Sequence, residues 1–465
     1  MKKPFISIVL ASTFAFGAVG THAVFAKPAE VSQKQSVHPQ DRKVINKINV
    51  YNIYNTIEYL SKTPRVAGTE SEYNAVQYIK KQFESYGYKT EVQEFTFEAY
   101  TPPSMIELRV QGYEGELHPT SFTYSKNGNG TGELVNAGLG TKGALENVDL
   151  SGKIALIQRG EITFAEKVLN AAEKGAAGVI IYNNAEGELN GTLGENNEKY
   201  VPAVALTKAE GEGLAAKVNS GGPVTATINI QGAEVGNKTS HNVIATKKPT
   251  NKKKANNDII VLGSHHDSVE AAPGANDDAS GTAMTLELAR VFKELPTDTE
   301  IRFITFGAEE VGLLGSEHYV QNLSDDEISR TIANFNLDMV GSKDAGDLVL
   351  MTHDGQPNLV TELAQASSTR LNGSPTPYAE GGRSDHVPFG EAGIPAALFI
   401  HDPAEPWYHT PEDTIDKISK EKLQDVAEIV GTAMYDTARF DNQGPKPKKQ
   451  KQPKAKHLYY EQDLK

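Results

Sequence analysis

Residues that can hold a metal ion recur along the second half of the chain. Zinc in proteins binds histidine nitrogen and carboxylate oxygen, and a catalytic zinc keeps one coordination position open. Five protein ligands are too many for one such ion, but two ions can share them if one carboxylate bridges. A further carboxylate, Glu309, stays free to act as a base, so the set is typical of a two-zinc hydrolase. The five candidates are His265, Asp277, Glu310, Asp338 and His409.

The elements that position these residues are predicted to be strands of an α/β fold. Apolar runs alternate with segments of helical periodicity, such as Met284, Leu288 and Val291, and an apolar stripe that starts at Leu423. This alternation predicts a mostly parallel central sheet flanked by helices. Such sheets bind ligands beyond the carboxyl ends of their strands, and every candidate except Asp277 follows a run. The runs are IIVLG at 259, IRFITF at 301, IANFNL at 332, DLVLM at 347 and PAALFI at 395.

Residues 126–235 have a different character. They open on the glycine-rich KNGNGTGE and continue with short strand-like and helical segments, which predicts a smaller inserted α/β domain. The segment GKIALIQRGEITFAEKVLNAAEKGAAGVIIYNN, 152–184, resembles the protease-associated (PA) domain found in many secreted peptidases. The resemblance implies a lid or substrate-access module and not a catalytic one.

Six motifs in the rest of the chain resemble those of the M28 family of zinc aminopeptidases. They occur in order, and the resemblance covers nearly all of the chain outside the inserted domain and the two ends. It implies a zinc-peptidase α/β/α fold, two zinc ions per chain, and peptide or protein N-termini as substrates. The motifs are GSHHDSV at 263, PGANDDASG at 273, GAEEVGLLGSEHYV at 307, NLDMVGS at 336, GGRSDHVPF at 381 and WYHTPEDTID at 407.

The resemblance also implies a role for each metal-ligating residue. His265 and Asp338 would hold one zinc, Glu310 and His409 the other, and Asp277 would bridge the two.

Two residues are expected to carry the chemistry. The resemblance makes Glu309 the general base for a metal-activated water and Tyr408 the phenol donor to the oxyanion of the tetrahedral intermediate. Four further motif residues match the family near the substrate cleft, and structural hydrogen bonding is expected for the last three: Arg383, Ser384, Asp385 and His386.

The surroundings of the first ligand follow from its motif. Asp267 lies two residues after His265 and is suited to accept the second imidazole N–H, which fixes the tautomer of the ligand. His266 is expected to face away from the metals. The resemblance also implies a cis peptide bond between Asp277 and Asp278.

Each alternative interpretation of these residues predicts a property that distinguishes it from a two-zinc aminopeptidase. Taken singly, a histidine after a strand, an EE pair or an NDD turn is usually structural, and DDASG lacks the spacing of an EF-hand. A glutaminyl cyclase of the same fold would bind one zinc. A carboxypeptidase would need a cation for the substrate carboxylate, for which Arg383 is the obvious candidate. A receptor-like binding protein would have lost ligands. Tyr378 and Glu380, just before GGRSDH, are candidates for residues that influence which first side chain of the substrate is preferred.

Composition and the chain ends indicate which partners and which location to expect for the protein. A net charge of −14 argues against nucleic-acid binding. Residues 1–26 have a basic start, a short apolar centre and small residues at the end, which predicts a secretory signal peptide and an extracellular protein without a membrane span. The absence of cysteine excludes disulfides and thiolate ligands.

The predicted layout has five parts. A flexible segment, 27–45, follows the signal peptide; residues 46–125 and 236–441 form the catalytic domain around the PA domain at 126–235; and a Lys-rich tail occupies 442–465. Such tails are usually solvated and disordered. Weak association of this tail with anionic cell-wall polymers is the alternative hypothesis.

Overall fold

The computed structural model describes residues 38–440. The predicted signal peptide, the residues after it up to 37, and the Lys-rich tail lie outside this range. Residues 39–45 fall in the predicted flexible segment, but they form a helix whose Val44 is fully buried. Asp41 in the same helix pairs with Arg370 at 3.1 Å. Burial of one apolar residue and one ion pair fixes the segment, so the prediction of flexibility is wrong there.

The helices and strands agree with the predicted alternation. The helices are α1 Pro39–Ile45, α2 Val50–Leu60, α3 Glu70–Ser85, α4 Phe164–Glu173, α5 Lys208–Asn219, α6 Ala279–Lys293, α7 Leu314–Gln321, α8 Asp325–Arg330, α9 Leu359–Asn372, α10 His386–Glu391 and α11 Lys420–Ala438. The strands are β1 Thr90–Thr101, β2 Met105–Val110, β3 Thr120–Ser121, β4 Gly128–Asn136, β5 Ile154–Gln158, β6 Gly178–Tyr182, β7 Ala203–Leu206, β8 Thr225–Gln231, β9 Glu234–Lys247, β10 Ile259–His265, β11 Glu300–Phe306, β12 Thr331–Leu337, β13 Asp347–Thr352, β14 Tyr378–Glu380 and β15 Ala396–Asp402.

An eight-stranded sheet carries the candidate site. Its order is β1-β9-β11-β10-β12-β15-β13-β14. The central strands β11, β10, β12 and β15 are parallel to one another, whereas β9 and β13 join them as antiparallel neighbours. The parallel centre is as predicted, and the carboxyl ends of its four strands therefore lie side by side.

Helices cover both faces of this sheet. Successive side chains of a strand point to opposite faces. Ile260 and Leu262 accordingly pack in the large core that includes α6 and α11, while Val261 packs on the other side with Tyr319 of α7 and Phe389 of α10. Burial on both faces explains why apolar residues occupy most positions of the central strands instead of alternating with polar ones. The α/β fold with flanking helices is confirmed.

A second, seven-stranded sheet has the order β2-β8-β4-β5-β6-β7-β3. It includes β2, which pairs antiparallel with β8 from Met105↔Gln231 to Val110↔Ala226. The sheet therefore begins before residue 126, the predicted start of the inserted domain. The pairing of β2 with β8 could not be read from the local pattern, because the two strands are far apart in sequence. The insertion lies between β1 and β9, which pair with each other in the first sheet.

Within residues 38–440, none of the helices combines the length and the apolar character that crossing a membrane would require.

Candidate metal centre

The sheet brings the predicted ligands to one edge. His265 is the last residue of β10, Glu310 follows β11, Asp338 follows β12, and His409 lies in the loop after β15. Asp277 comes from the turn that leads into α6. The parallel strands thus place residues that are more than a hundred positions apart in sequence next to one another.

Asp277 lies between the two histidines. Its Oδ1 atom is 3.1 Å from Nε2 of His265, and its Oδ2 atom is 3.1 Å from Nε2 of His409. On the first side, Nε2 of His265 is also 3.6 Å from Oδ1 of Asp338. On the second side, Nε2 of His409 is 3.0 Å from Oε2 of Glu310. The shortest contacts therefore form two groups, one around each imidazole, and the carboxylate of Asp277 belongs to both.

These atoms suit metal ions because hydrogen bonds do not use them up. Nε2 of His265 and of His409, Oε1 of Glu310 and Oδ1 of Asp338 are buried, and none of them has a hydrogen-bond partner among the described residues. Buried polar atoms are normally paired, so an unpaired cluster of nitrogen and carboxylate oxygen calls for an additional partner. Imidazole nitrogen with carboxylate oxygen is a donor set that zinc accepts. The residues present therefore fit zinc.

Asp278 is a second carboxylate close to His265 and Asp338, and the three offer atoms within 4.8 Å of one another. Its oxygens are already occupied. Oδ2 accepts the N–H of His265 at 3.2 Å, and Oδ1 accepts the N–H of Gly281 at 2.8 Å and that of Met339 at 3.3 Å. Asp278 therefore caps α6 and anchors the backbone beside two candidate ligands, His265 and Asp338. The peptide bond that joins Asp277 to Asp278 is cis, as the family resemblance implies.

The carboxylates change the acidity of the two imidazoles. Burial would lower the pKa of His265, but the charges of Glu309 and the other carboxylates around it raise this pKa well above its ordinary value. Burial also opposes protonation of His409, yet its close contacts with the carboxylates of Asp277 and Glu310 raise its pKa to about 10. Both imidazoles are thus held towards their protonated form by the surrounding carboxylates. The acid-rich cluster requires positive charge, which metal ions would supply.

Glu309 lies beside this cluster and outside its two groups. Its Oε2 atom is 4.0 Å from Nε2 of His265, and the residue is 8% exposed. Burial, more than any neighbouring charge, raises the pKa of its carboxyl well above the ordinary value. A carboxyl group with a raised pKa in this place can take up a proton and release it again.

Tyr408 is at the exposed side of the cluster. The residue is 45% exposed, and its ring stacks on the imidazole of His409 with centroids 3.8 Å apart. Burial of part of the ring and the nearby carboxylate charges, Asp277 first, raise the pKa of the phenol, so it keeps its proton and can donate a hydrogen bond.

The GGRSDHVPF motif runs from an exposed start into a buried helix. Arg383 is exposed, as are Tyr378 and Glu380 of β14 just before the motif. Ser384 is buried and accepts a hydrogen bond from Nδ2 of Asn336 at 2.8 Å, which is the structural role predicted for it. The adjacent Asp385 and His386 are also fully buried at the start of α10.

Asp267 connects two of the ligand-bearing segments. Its Oδ1 atom lies 3.4 Å from Nδ1 of His265, the ring nitrogen that it is expected to orient. The same carboxylate accepts the backbone N–H groups of Glu309 and Glu310, each at 3.2 Å. His266 faces away from the cluster, and its Nδ1 atom is 3.1 Å from Oγ1 of Thr305.

Backbone conformation is unusual beside the ligands. Ala308, Met339 and His409 have φ angles of 55°, 57° and 59°, in the left-handed region that residues other than glycine seldom adopt. Such conformations persist where the surrounding structure imposes them, and they concentrate at functional sites. Their positions, immediately before Glu309, immediately after Asp338 and at a ligand itself, agree with a site built for precise placement of side chains.

Arg65 supports the cluster but cannot be recognised from the motifs. The guanidinium of Arg65 is buried and donates to the carbonyls of His266, Pro273 and Gly274. It therefore holds the segment after His265 and the start of the Asp277 turn together. In sequence, Arg65 is a single basic residue some two hundred positions away, and nothing local marks it.

A mixed sheet with imidazole and carboxylate groups converging at the ends of its parallel strands suits a metal-binding enzyme. The peptidase family M28 model matches residues 242–434, and the PA domain model matches residues 130–214. Aminopeptidase YwaD of Bacillus subtilis is 42% identical over 87% of this chain and 89% of its own length. This chain belongs to peptidase family M28, contains a PA domain, and is thus a hydrolase, as the motifs predict.

Solved structures agree. An aminopeptidase from Aneurinibacillus sp. strain AM-1 has 60% sequence identity and a TM-score of 0.79, covering 86% of this chain and 96% of its own. BSAP, a zinc aminopeptidase from Bacillus subtilis, has 41% identity and a TM-score of 0.70, covering 85% of this chain and 96% of its own.

Proposed function

We propose that the protein is a two-zinc aminopeptidase that removes the N-terminal residue of peptides and proteins. The observation that carries the proposal is the position of Asp277, whose two oxygens each lie 3.1 Å from a different imidazole. A carboxylate between two otherwise separate ligand groups suits a bridge between two ions. The names of the relatives with high identity, which are aminopeptidases, support the same activity.

Glu309 is the proposed general base. Bound zinc would polarise the substrate carbonyl and lower the pKa of a water molecule towards about 7. Glu309 accepts the proton of the attacking water and passes it to the leaving amine, for which its buried position and raised pKa suit it. Asp267 holds the backbone N–H of Glu309 and so limits the movement of this side chain.

The surplus of carboxylates favours a substrate with a free amine. An α-ammonium group is cationic near neutral pH and is attracted to an acid-rich cleft. The exposed Tyr408 and the partly exposed His409 mark the side from which the substrate would enter.

We also propose that the enzyme is exported. Support for this comes from the signal-peptide pattern of residues 1–26, which lie outside the described range.

A panel of aminoacyl chromogenic substrates tests the main proposal. We expect hydrolysis of substrates with a free amine, loss of activity after chelation, and recovery when zinc is added back. N-acetylated versions of the same substrates should be cut far more slowly, because they lack the cationic amine. Equal rates on blocked and free substrates would exclude an exopeptidase, and full activity after verified removal of metal would exclude a metal-dependent mechanism.

Replacing Tyr408 with Phe tests the oxyanion donor. We expect kcat to fall about 10- to 100-fold, because a hydrogen bond to a charged group contributes about 1.5 to 3 kcal/mol. Metal content should stay the same, since the ring that stacks on His409 is retained. Steady-state kinetics and metal analysis measure the two effects, and an unchanged kcat would mean that the phenol only packs against the imidazole.

A further inference from the structure

Two loops supply the candidate ligands that do not come directly from strand ends, and several hydrogen bonds join them, of which one residue makes two. The Asp277 loop is defined as residues 273–278 and the His409 loop as residues 403–414. Asn276, which precedes the bridging aspartate, is fully buried between them. Its Nδ2 atom donates to Oε1 of Glu405 at 2.8 Å, and its backbone N–H donates to Oδ1 of Asp413 at 2.8 Å.

These two contacts lie on either side of the residues that face the metals. Glu405 precedes Tyr408 and His409 in the His409 loop, and Asp413 follows them. Both carboxylates are buried, with exposures of 3% and 0%, whereas Tyr408 is 45% exposed. The His409 loop is thus attached at both ends of an exposed segment, and both attachments lead to Asn276.

The orientation of the Asn276 amide is fixed by a third contact. The N–H of Gly341 donates to Oδ1 of Asn276 at 2.8 Å. The amide oxygen therefore faces Gly341, and only the NH₂ group can face Glu405. Asp413 uses its second oxygen on the bridging residue itself, accepting the N–H of Asp277 at 3.1 Å. The same hydrogen bonds therefore connect the backbone of the bridge with the loop of the terminal ligand.

We propose that Asn276 is the positioning residue that sets His409 relative to Asp277, through its hydrogen bonds to Glu405 and Asp413. It touches neither metal nor substrate. Its effect is on the distance between the bridging carboxylate and the imidazole of His409, and therefore on the affinity of the ion that Glu310 and His409 hold. This inference rests on the proposed two-zinc centre.

A donor–acceptor exchange tests the proposal. Asn276→Asp keeps the acceptor for Gly341 and the backbone N–H for Asp413, but it places a carboxylate against Glu405. Two carboxyl groups then face each other where an amide donated to a carboxylate, so their repulsion should weaken the attachment at Glu405 at about pH 8. We expect the affinity for one of the two ions to fall about tenfold or more, as is typical when a partner behind a metal ligand is lost. The second ion should be affected much less.

The double variant N276D/E405Q restores a donor to the pair, now from the glutamine to the aspartate, and should recover most of the lost affinity. Glu405→Gln alone completes the cycle and keeps an acceptor for Asn276. Zinc titration of the metal-free protein gives both affinities, and thermal unfolding of the metal-free variants shows whether each is folded. Asn372→Asp is a matched control, because Asn372 donates to Asp425 at 2.8 Å on an exposed part of α9.

The outcomes separate cleanly. The inference is supported if Asn276→Asp weakens the binding of one ion selectively and the added substitution Glu405→Gln restores it. Equal loss of both ions, no loss, or a loss that the second substitution leaves in place overturns it, while the two-zinc proposal stands. If the unmodified protein binds fewer than two zinc ions, both this inference and the two-zinc proposal are wrong.

Discussion

Replacing Glu309 with Gln is expected to lower kcat by about 10² or more and to leave two metal ions bound, because general-base catalysis contributes roughly 10²- to 10⁴-fold. Glutamine has nearly the same shape as glutamate, and the backbone N–H of residue 309 would keep its hydrogen bond to Asp267. The amide cannot accept a proton from water. Steady-state kinetics and metal analysis of the purified variant measure the two parts of the prediction.

The adjacent glutamate provides the matched control. Glu310→Gln alters a carboxylate whose Oε2 atom is 3.0 Å from Nε2 of His409, so this variant should lose affinity for one ion. The two substitutions are chemically identical and one residue apart, and they should nevertheless fail in different ways. A fully active Glu309→Gln enzyme, or one that loses a metal ion, would be incompatible with the assigned role.

Strand positions were predictable because each central strand is buried on both faces. IIVLG, IRFITF and IANFNL are mostly apolar runs, and all three form strands of the parallel centre. Helix starts were partly predictable. Thr69 and Glu72 have the spacing of a capping box, and Thr69 does cap α3, but the Glu72 carboxylate accepts from Gly68 and Ser240 instead of the backbone of Thr69. A tertiary contact replaced the local one, which no sequence pattern reports.

The pairing of strands distant in sequence was harder to predict. β2 looks like any short exposed-edge strand, and its membership in the second sheet depends on β8, more than a hundred residues later. Local patterning determines that a segment is a strand, whereas its partner depends on packing over long sequence distances.

The candidate ligands were predictable because zinc restricts the residue types and the fold restricts their positions to strand ends. The residues behind them were not. Asn276, Glu405 and Asp413 are connected by hydrogen bonds to backbone or amide groups, which many side chains can make. Only their convergence in space distinguishes them. Even Asp267, found from its spacing to His265, has a second task at the backbone of Glu309 and Glu310 that its position in the motif does not suggest.

Replacing Asp277 with Asn should weaken the binding of both metal ions together. A bridge needs two anionic oxygens, and an amide offers one neutral oxygen and an NH₂ group that repels a cation. We expect each affinity to fall by at least about 100-fold, since loss of a partner behind a ligand already costs about 10- to 100-fold. Aminopeptidase activity should fall with the metal content. Thermal unfolding gives an independent measure, because zinc at about 100 times its Kd stabilises a one-site protein by about 2.7 kcal/mol.

Asp338→Asn is the control that separates a bridge from a terminal ligand. Oδ1 of Asp338 is 3.6 Å from Nε2 of His265, and this carboxylate belongs to only one of the two ligand groups. Its replacement should therefore weaken one ion and leave the other, so that zinc titration shows one tight site where Asp277→Asn shows none. If Asp277→Asn also keeps one tight site, then Asp277 is a terminal ligand. The two groups would then need another shared carboxylate, and Asp278, whose oxygens bind backbone N–H groups, is poorly placed to supply it.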